Sequence, residues 1–350
     1  MFVRITLLPL SRLLIAAAAT LVAATALAQD LTVVTRGEVL RVPMREVFIH
    51  PFTLSTDLPV RHDVWDGGLE TLRTHARSPE NGWDLVIVDS MELAQGCAEG
   101  LFEKMDWAAI GGRDHTMAAG VADCGVGATV ANMVLAWDRD KFPSTPTWSD
   151  FWDVAKHPGK RGLRQGVRGT LEIALLADGV APADIYRTLS TNEGVDRAFR
   201  KLDQLKPYLV WWQTEADAVR ILGSGDVLMT SAPSGRIVMA NRSERRNFGL
   251  QWAASLFEVH SWAILKGTSE LRQAQQFLWF AGTTAIQARF LRLTGESGLA
   301  RGINEGLPPD VAGVSPTAQA NMSQGLRMDA GFWNENLSKL RPRFDTWQGR

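Results

Sequence analysis

The chain has 350 residues, and its 37 Lys and Arg nearly balance 38 Asp and Glu, leaving a formal charge of −1 at neutral pH. That balance excludes the basic footprint of a nucleic-acid binder or a polybasic membrane patch, and a 45% apolar fraction excludes a disordered chain. A chain this long exceeds one usual core and is expected to divide into two lobes.

At the start, Arg4 and Arg12 flank the beginning of an apolar stretch whose run LLIAAAATLVAATALA ends in Ala26-Leu27-Ala28. A basic n-region, an apolar h-region and a small-x-small ending predict a signal peptide over residues 1–28, cleaved on export to the periplasm. The run is shorter than the ~18–20 apolar residues that span a bilayer, which disfavours a retained anchor. No later segment is apolar enough to cross a membrane.

Alternating strands and helices follow. DLTVVT (30–35) reads as a strand, the segment around 38–49 as a helix, and PVRHDVW (59–65) as a second strand. After Gly67-Gly68, LETLRTHARS is helical. WDLVIVDS (83–90) is a continuous apolar run, the mark of a parallel strand buried on both faces, with Asp89 and Ser90 at its carboxyl end and helical MELAQGCAEG beyond. This β-α-β-α-β order predicts a mostly parallel sheet flanked by helices. PSTPTWSDFWDVAKHPGKRGLRQG is rich in Pro, Trp and turn signals, with a short helix at SDFWDVA that Thr147 or Ser149 would cap.

A second α/β set comes next: helical TLEIALLADG and GVDRAFRKLDQLKPY, strand LVWWQ, helical EADAVRILGSG, strand DVLMTSA and helical SGRIVMANR. LFEVHSWAILKG (256–267) then alternates as a strand, with Glu258, His260, Trp262 and Ile264 on one face. A charge buried there without a partner is costly, so that face is either wet or occupied. Helical ELRQAQQFLWFAGT follows. Neither an internal repeat nor a low-complexity segment interrupts the series.

The chain has two cysteines, Cys97 and Cys124, both in the exported part. An even pair in an oxidising compartment predicts a disulfide, worth about 3–4 kcal/mol on the chain-entropy model; two separately buried thiols are the alternative.

Catalytic and metal signatures are missing. No H-E-x-x-H, C-x-x-C, G-x-S-x-G or G-x-x-x-x-G-K-[ST] occurs, and the six histidines are scattered without ligand spacing. CGVGATV lacks the third glycine of a dinucleotide fingerprint. No cofactor or metal is expected. Most of the 13 tryptophans are expected in the core, with some free to wall a cleft.

Four stretches carry a family resemblance: WDLVIVDSMELAQGCAEGLFEKMDW, PTWSDFWDVAKHPGKRGLR, GDVLMTSAPSGRIVMA and SWAILKGTSELRQAQQFLWF. Together they resemble the periplasmic solute-binding proteins of ABC importers, and within these the polyamine (spermidine/putrescine) type. The second stretch, similar to a P-x-S/T-W-x-D-x-W-D…P-G-K-R-G pattern, is the most specific. GC…CGVG also looks like a subgroup pattern whose cysteines pair.

The resemblance implies an α/β, bilobal fold: two α/β lobes joined by crossover strands, with a ligand cleft between them. Lobe 1 would comprise 31–135 plus 262–310, and lobe 2 136–261 plus 311–350. It implies a non-enzymatic monomer that delivers a small solute to ABC permease subunits in the inner membrane. Family contact positions fall here on Thr35, Arg36 and Gly37, on Asp89 and Ser90, on Gly169 and Thr170, on Ser234, Gly235 and Arg236, and on Glu258 and His260.

Several of these depart from the polyamine pattern. Glu258 and His260 stand where an aromatic and an aspartate are usual, Pro233 stands for an aromatic, Val167-Arg168-Gly169-Thr170 for an acidic residue, and Thr35-Arg36 for an opening aromatic. Arg36, Arg168, Arg236 and a protonatable His260 would make the cleft more cationic, and arginine forks suit carboxylates, while Glu258 and Asp89 suit an amine. A zwitterionic or anionic solute is therefore expected. A true polyamine binder, a periplasmic hydrolase or transferase on a two-lobe scaffold, and a binder that presents its ligand to a sensor are the alternatives.

Overall fold

The computed structural model describes residues 30–77 and 82–349; the expected signal segment, 1–28, lies outside them. Its frame is one nine-stranded sheet: β1 (Leu31–Arg36), β2 (Val60–Trp65), β3 (Leu85–Val88), β4 (Val126–Asp138), β5 (Arg161–Arg164), β6 (Leu209–Trp212), β7 (Met229–Pro233), β8 (Phe248–Ile264) and β9 (Leu326–Arg327). The spatial order is β2-β1-β3-β8-β4-β7-β5-β6, with β9 beside β8.

Two parallel sets flank an antiparallel pair. β1 runs parallel to β2 and β3, and β5 runs parallel to β6 and β7, each set with helical crossovers. Between them β4 and β8 pair antiparallel along nearly their whole length. At 13 and 17 residues they are long enough, at about 3.4 Å per residue, to serve both halves of the molecule. The all-apolar β3 is buried on both faces, as a strand covered by helices must be.

Each half has its own core. Val33, Phe48, Phe52, Ile87, Trp262 and Phe277 fill one, and Trp148, Phe151, Leu171, Phe199 and Leu202 fill the other. The C-terminal helix Ala330–Gly349 inserts Phe332, Trp333, Leu340 and Phe344 into the second core. No helix among the described residues is long and apolar enough to cross a membrane.

Most expected elements are present, with four differences. β5, Arg161–Arg164, lies inside the stretch read as turn-rich. β8 begins at Phe248, eight residues before the alternation becomes regular. The helical segment after β1 continues to Thr56 through a turn of π-helix at Arg45–Ile49. Thr147, rather than Ser149, caps the helix Trp148–Trp152, in a capping box with Asp150.

Cys97 and Cys124 form a disulfide, with Cα atoms 6.1 Å apart. It ties the helix Ser90–Ala98 to the chain entering β4. Of the tryptophans, Trp65, Trp137, Trp148, Trp152, Trp212, Trp262 and Trp333 are core residues.

Candidate functional site

A knot of five charged side chains joins the two halves where β1, β3 and β8 end or cross. Arg36, the last residue of β1, donates from Nη1 to Glu92 Oε2 at 2.6 Å and lies 3.7 Å from Asp89. Its guanidinium also sits 5.6 Å from the Trp65 ring centre, a cation–π distance. Arg168 reaches in from the other half, donating to Glu258 Oε2 at 3.0 Å and lying 3.5 Å from Asp89. The Ser90 hydroxyl donates to the same Glu258 oxygen at 2.9 Å, and His260 Nε2 is 3.8 Å from Glu258 Oε1.

Local structure explains why these groups are held so firmly. Asp89 is the N-cap of Ser90–Ala98: its carboxylate accepts the Glu92 amide at 2.8 Å, and Glu92 accepts the Asp89 amide at 2.9 Å. This capping box fixes both acids at a helix N-terminus, where negative charge is favoured. Glu92 also accepts the Gly68 amide at 2.7 Å, so the β2 loop is tied to the same carboxylate.

On the opposite side, Arg168 precedes Gly169, whose φ of +81° opens the helix Thr170–Ala177. Fully buried Glu172 pins that turn, accepting from the Gly169 amide (2.9 Å), Tyr186 Oη (2.9 Å) and Trp333 Nε1 (2.7 Å). Arg168 is thereby anchored to the C-terminal helix.

The charges act on one another. Burial, then the Glu258 and Glu92 charges, push the Asp89 carboxyl upward against the pull of Arg36. Burial would raise Glu258 as well, but its contact with His260 and the Arg168 charge prevail and hold it well below the usual carboxylate range. Two arginines among three acids leave the knot acidic by one charge with His260 neutral, and balanced with it protonated.

The knot unites Arg36, Asp89, Ser90, Glu258 and His260, together with Arg168. Other expected contact residues do not reach it. Thr35 is fully buried and bonded to His62 Nε2 at 2.8 Å on β2. Thr170, buried within the first turn of its helix, donates to the Arg164 carbonyl at 3.3 Å. Ser234 is buried at the start of the helix Ser234–Ser243, and Arg236 pairs with Glu215 at 2.8 Å. The reason is geometric: β-strand neighbours point to opposite faces, so Thr35 turns away where Arg36 turns in.

Two acids escaped the sequence reading. Glu92 looks like an ordinary helical glutamate, and only the D-x-x-E spacing from Asp89 marks it as half of a capping box. Glu296, beside the Gly235 turn, carries no local signal at all.

A model of the family described as bacterial extracellular solute-binding protein matches residues 48–312. The γ-aminobutyric acid-binding protein of Pseudomonas aeruginosa is 38% identical over 341 residues, 97% of each chain. Among solved structures, an ABC transporter substrate-binding protein from Bradyrhizobium japonicum superimposes with a TM-score of 0.81 at 27% identity, over 91% of this chain and 99% of that one. A GABA receptor structure also gives 0.81, at 26% identity, over 91% and 97%.

Proposed function

Because the chain belongs to the bacterial extracellular solute-binding protein family, we propose that it captures a small zwitterionic solute of the ω-amino acid class, γ-aminobutyrate being the first candidate. The two halves act as lobes, 31–135 plus 262–310 and 136–261 plus 311–350, and close on the ligand before it passes to an ABC permease. Export to the periplasm, a monomeric state and the lack of catalysis belong to the same reading.

The observation that carries it is the knot itself, in which both signs of charge meet between the halves. A zwitterion needs a cation and an anion a few ångströms apart, and Arg168, Glu258 and Asp89 supply both. Within the knot a polyamine is a poorer fit. Its several ammonium groups would meet a knot with one net negative charge, and it brings no carboxylate for Arg168, whose Nε has no hydrogen-bond partner. A hydrolase is disfavoured by connectivity. The Ser90 hydroxyl donates to Glu258, with no histidine between them to act as base.

Titration calorimetry of residues 29–350 with γ-aminobutyrate, putrescine and spermidine tests the reading. Saturable binding of γ-aminobutyrate, and weak or absent binding of both polyamines, is expected. Tighter binding of putrescine would overturn the zwitterion assignment.

A further inference from the structure

Beside the knot, on the same side of β4 and β8, stands the carboxylate of Glu296. Glu296 follows Gly295, which ends the helix Thr284–Thr294 with φ +76°. Its backbone amide is taken by Thr294 Oγ1 at 3.0 Å, but its carboxylate has no hydrogen-bond or ion-pair partner among the described residues. Every acid of the knot, by contrast, is bonded to an arginine or lies against one.

The sheet register places this carboxylate in relation to the knot. The Val130 amide donates to the Ser297 carbonyl at 2.9 Å in an antiparallel bridge, on the edge of β4 away from β8. That register sets Glu296 opposite Ala131, and Ala131 is paired on its other side with Glu258. Opposed residues share a face, so Glu258, Ala131 and Glu296 form one row, with the two acids about 10 Å apart across two strand spacings. The middle residue is a half-buried alanine in a strand otherwise mostly buried, so the row is a trough with an acid at each end and a methyl floor.

Around Glu296 stand Gly235 and Arg236 of the helix Ser234–Ser243, Glu215 of the helix Glu215–Ser224, and His260 of β8. A Cβ on Gly235 would come within 2.6 Å of Glu296 Cγ, so the glycine lets this carboxylate lie flat against the turn. Glu215 is already spent on Arg236.

We propose that Glu296 is an amine-directing residue of the ligand site: the ammonium group of the solute docks on it over Ala131, with the solute's carboxylate turned toward Arg168. This inference rests on the zwitterion reading above and names the group that selects the amine. It also makes binding proton-linked. Burial, then the Glu215 charge, push the Glu296 carboxyl up to about 7, with Arg236 and His260 pulling the other way. An ammonium ion at 3 Å favours the ionised form, so a carboxyl that is half protonated at pH 7 gives up its proton to solvent as the ligand arrives.

Calorimetry with γ-aminobutyrate in buffers of different ionisation heat reads both affinity and proton count. The parent is expected to release about half a proton at pH 7 and close to none at pH 8.5, with affinity falling roughly tenfold per pH unit well below 7. Glu296→Gln should bind about 10- to 100-fold more weakly with the proton release gone, as expected for loss of a charge-assisted hydrogen bond. His260→Gln, which replaces the imidazole beside Glu296 by a neutral amide, should keep that release. Ala131→Leu fills the floor without touching a charge; it should abolish binding, and it serves as the test if Glu296→Gln does not fold. A parent that binds γ-aminobutyrate while Glu296→Gln matches it in affinity and proton count overturns the assignment and leaves the function standing. Normal binding by Ala131→Leu overturns the trough. A parent that binds no ω-amino acid overturns the function itself, and this inference with it.

Discussion

Arg36 and Arg168 have the same side-chain exposure, 23%, yet their surroundings assign them different work. Arg36 is fixed by Glu92, Asp89 and the Trp65 face, all from its own half, so it is a strut. Arg168 crosses between halves, and its buried Nε has no hydrogen-bond partner, so it retains donor capacity for a ligand. Arg36→Ala leaves Glu92 and Asp89 facing each other without that cation, and should cost about 3 kcal/mol of stability in urea unfolding. Arg168→Ala should instead weaken γ-aminobutyrate by about 1.5–3 kcal/mol with a smaller effect on unfolding. If the two substitutions affected stability and binding in the same proportions, the division of roles would be wrong.

His62 gives a second prediction at this scale. Burial, then the nearby Arg41 charge, lower its pKa to about 4, and its Nε2 is held by buried Thr35. The folded ring stays neutral where the unfolded ring, near 6.5, takes up a proton. Stability from this group is therefore complete above about pH 6.5 and lost as pH falls toward 4. Because the ring is only partly buried, the loss should be about 1–2 kcal/mol, and His62→Gln should flatten the unfolding free energy between those pH values. An unchanged slope in the variant would remove His62 from the account.

Among the elements, β5 shows what a periodic reading cannot see. RGLR after Pro-Gly-Lys looks like a turn, since it begins with an arginine and contains a glycine. Arg161 is nevertheless fully buried. Its guanidinium donates to the carbonyls of Phe151 (2.7 Å), Gly159 (2.6 Å) and His157 (2.6 Å), closing the loop that precedes the strand. Gly162 is equally specific, because a Cβ there would overlap the Thr230 hydroxyl on β7. Both residues obey rules set by distant partners, which hydrophobic alternation does not register.

The all-apolar β3 and the amphipathic helices were legible because their signals are local. The same contrast divides the site. Asp89, Ser90, Glu258 and His260 stood out as polar groups at strand ends or on a strand face, whereas Glu92 is marked only by its capping-box spacing from Asp89 and Glu296 acquires meaning only from the register of β4 and β8. Arg161→Met should remove all three donors and cost about 3 kcal/mol or more in urea unfolding, while the urea midpoint of Arg161→Lys should fall between those of Met and the parent. Equal midpoints for all three proteins would show that the loop does not depend on the guanidinium.

At the scale of the whole molecule, β4 and β8 are the mechanical link, and their irregularities mark where it bends. Register shifts fall between Gly127 and Thr129 and between Met133 and Leu135; near the second, Ala254 adopts φ +57°, a conformation costly for a residue with a Cβ. The knot sits beside this crossover and bridges the halves through the Arg168–Asp89 pair and the Ser90–Glu258 hydrogen bond. Ion pairs taken from water return little net free energy, so the empty protein should be only weakly held closed. A ligand that pairs with both signs of charge adds affinity for the closed state and shifts the population toward it. Small-angle scattering of residues 29–350 should give a radius of gyration near 20 Å with saturating γ-aminobutyrate, the value for a compact chain of this length. Without ligand the radius should rise by roughly 1 Å, as hinge opening requires. Arg168→Ala should stay at the larger radius at ligand concentrations that close the parent. Superimposable curves for the parent with and without ligand, at a concentration where calorimetry records saturation, would mean that the halves do not move and that β4 and β8 are a rigid beam instead of a hinge.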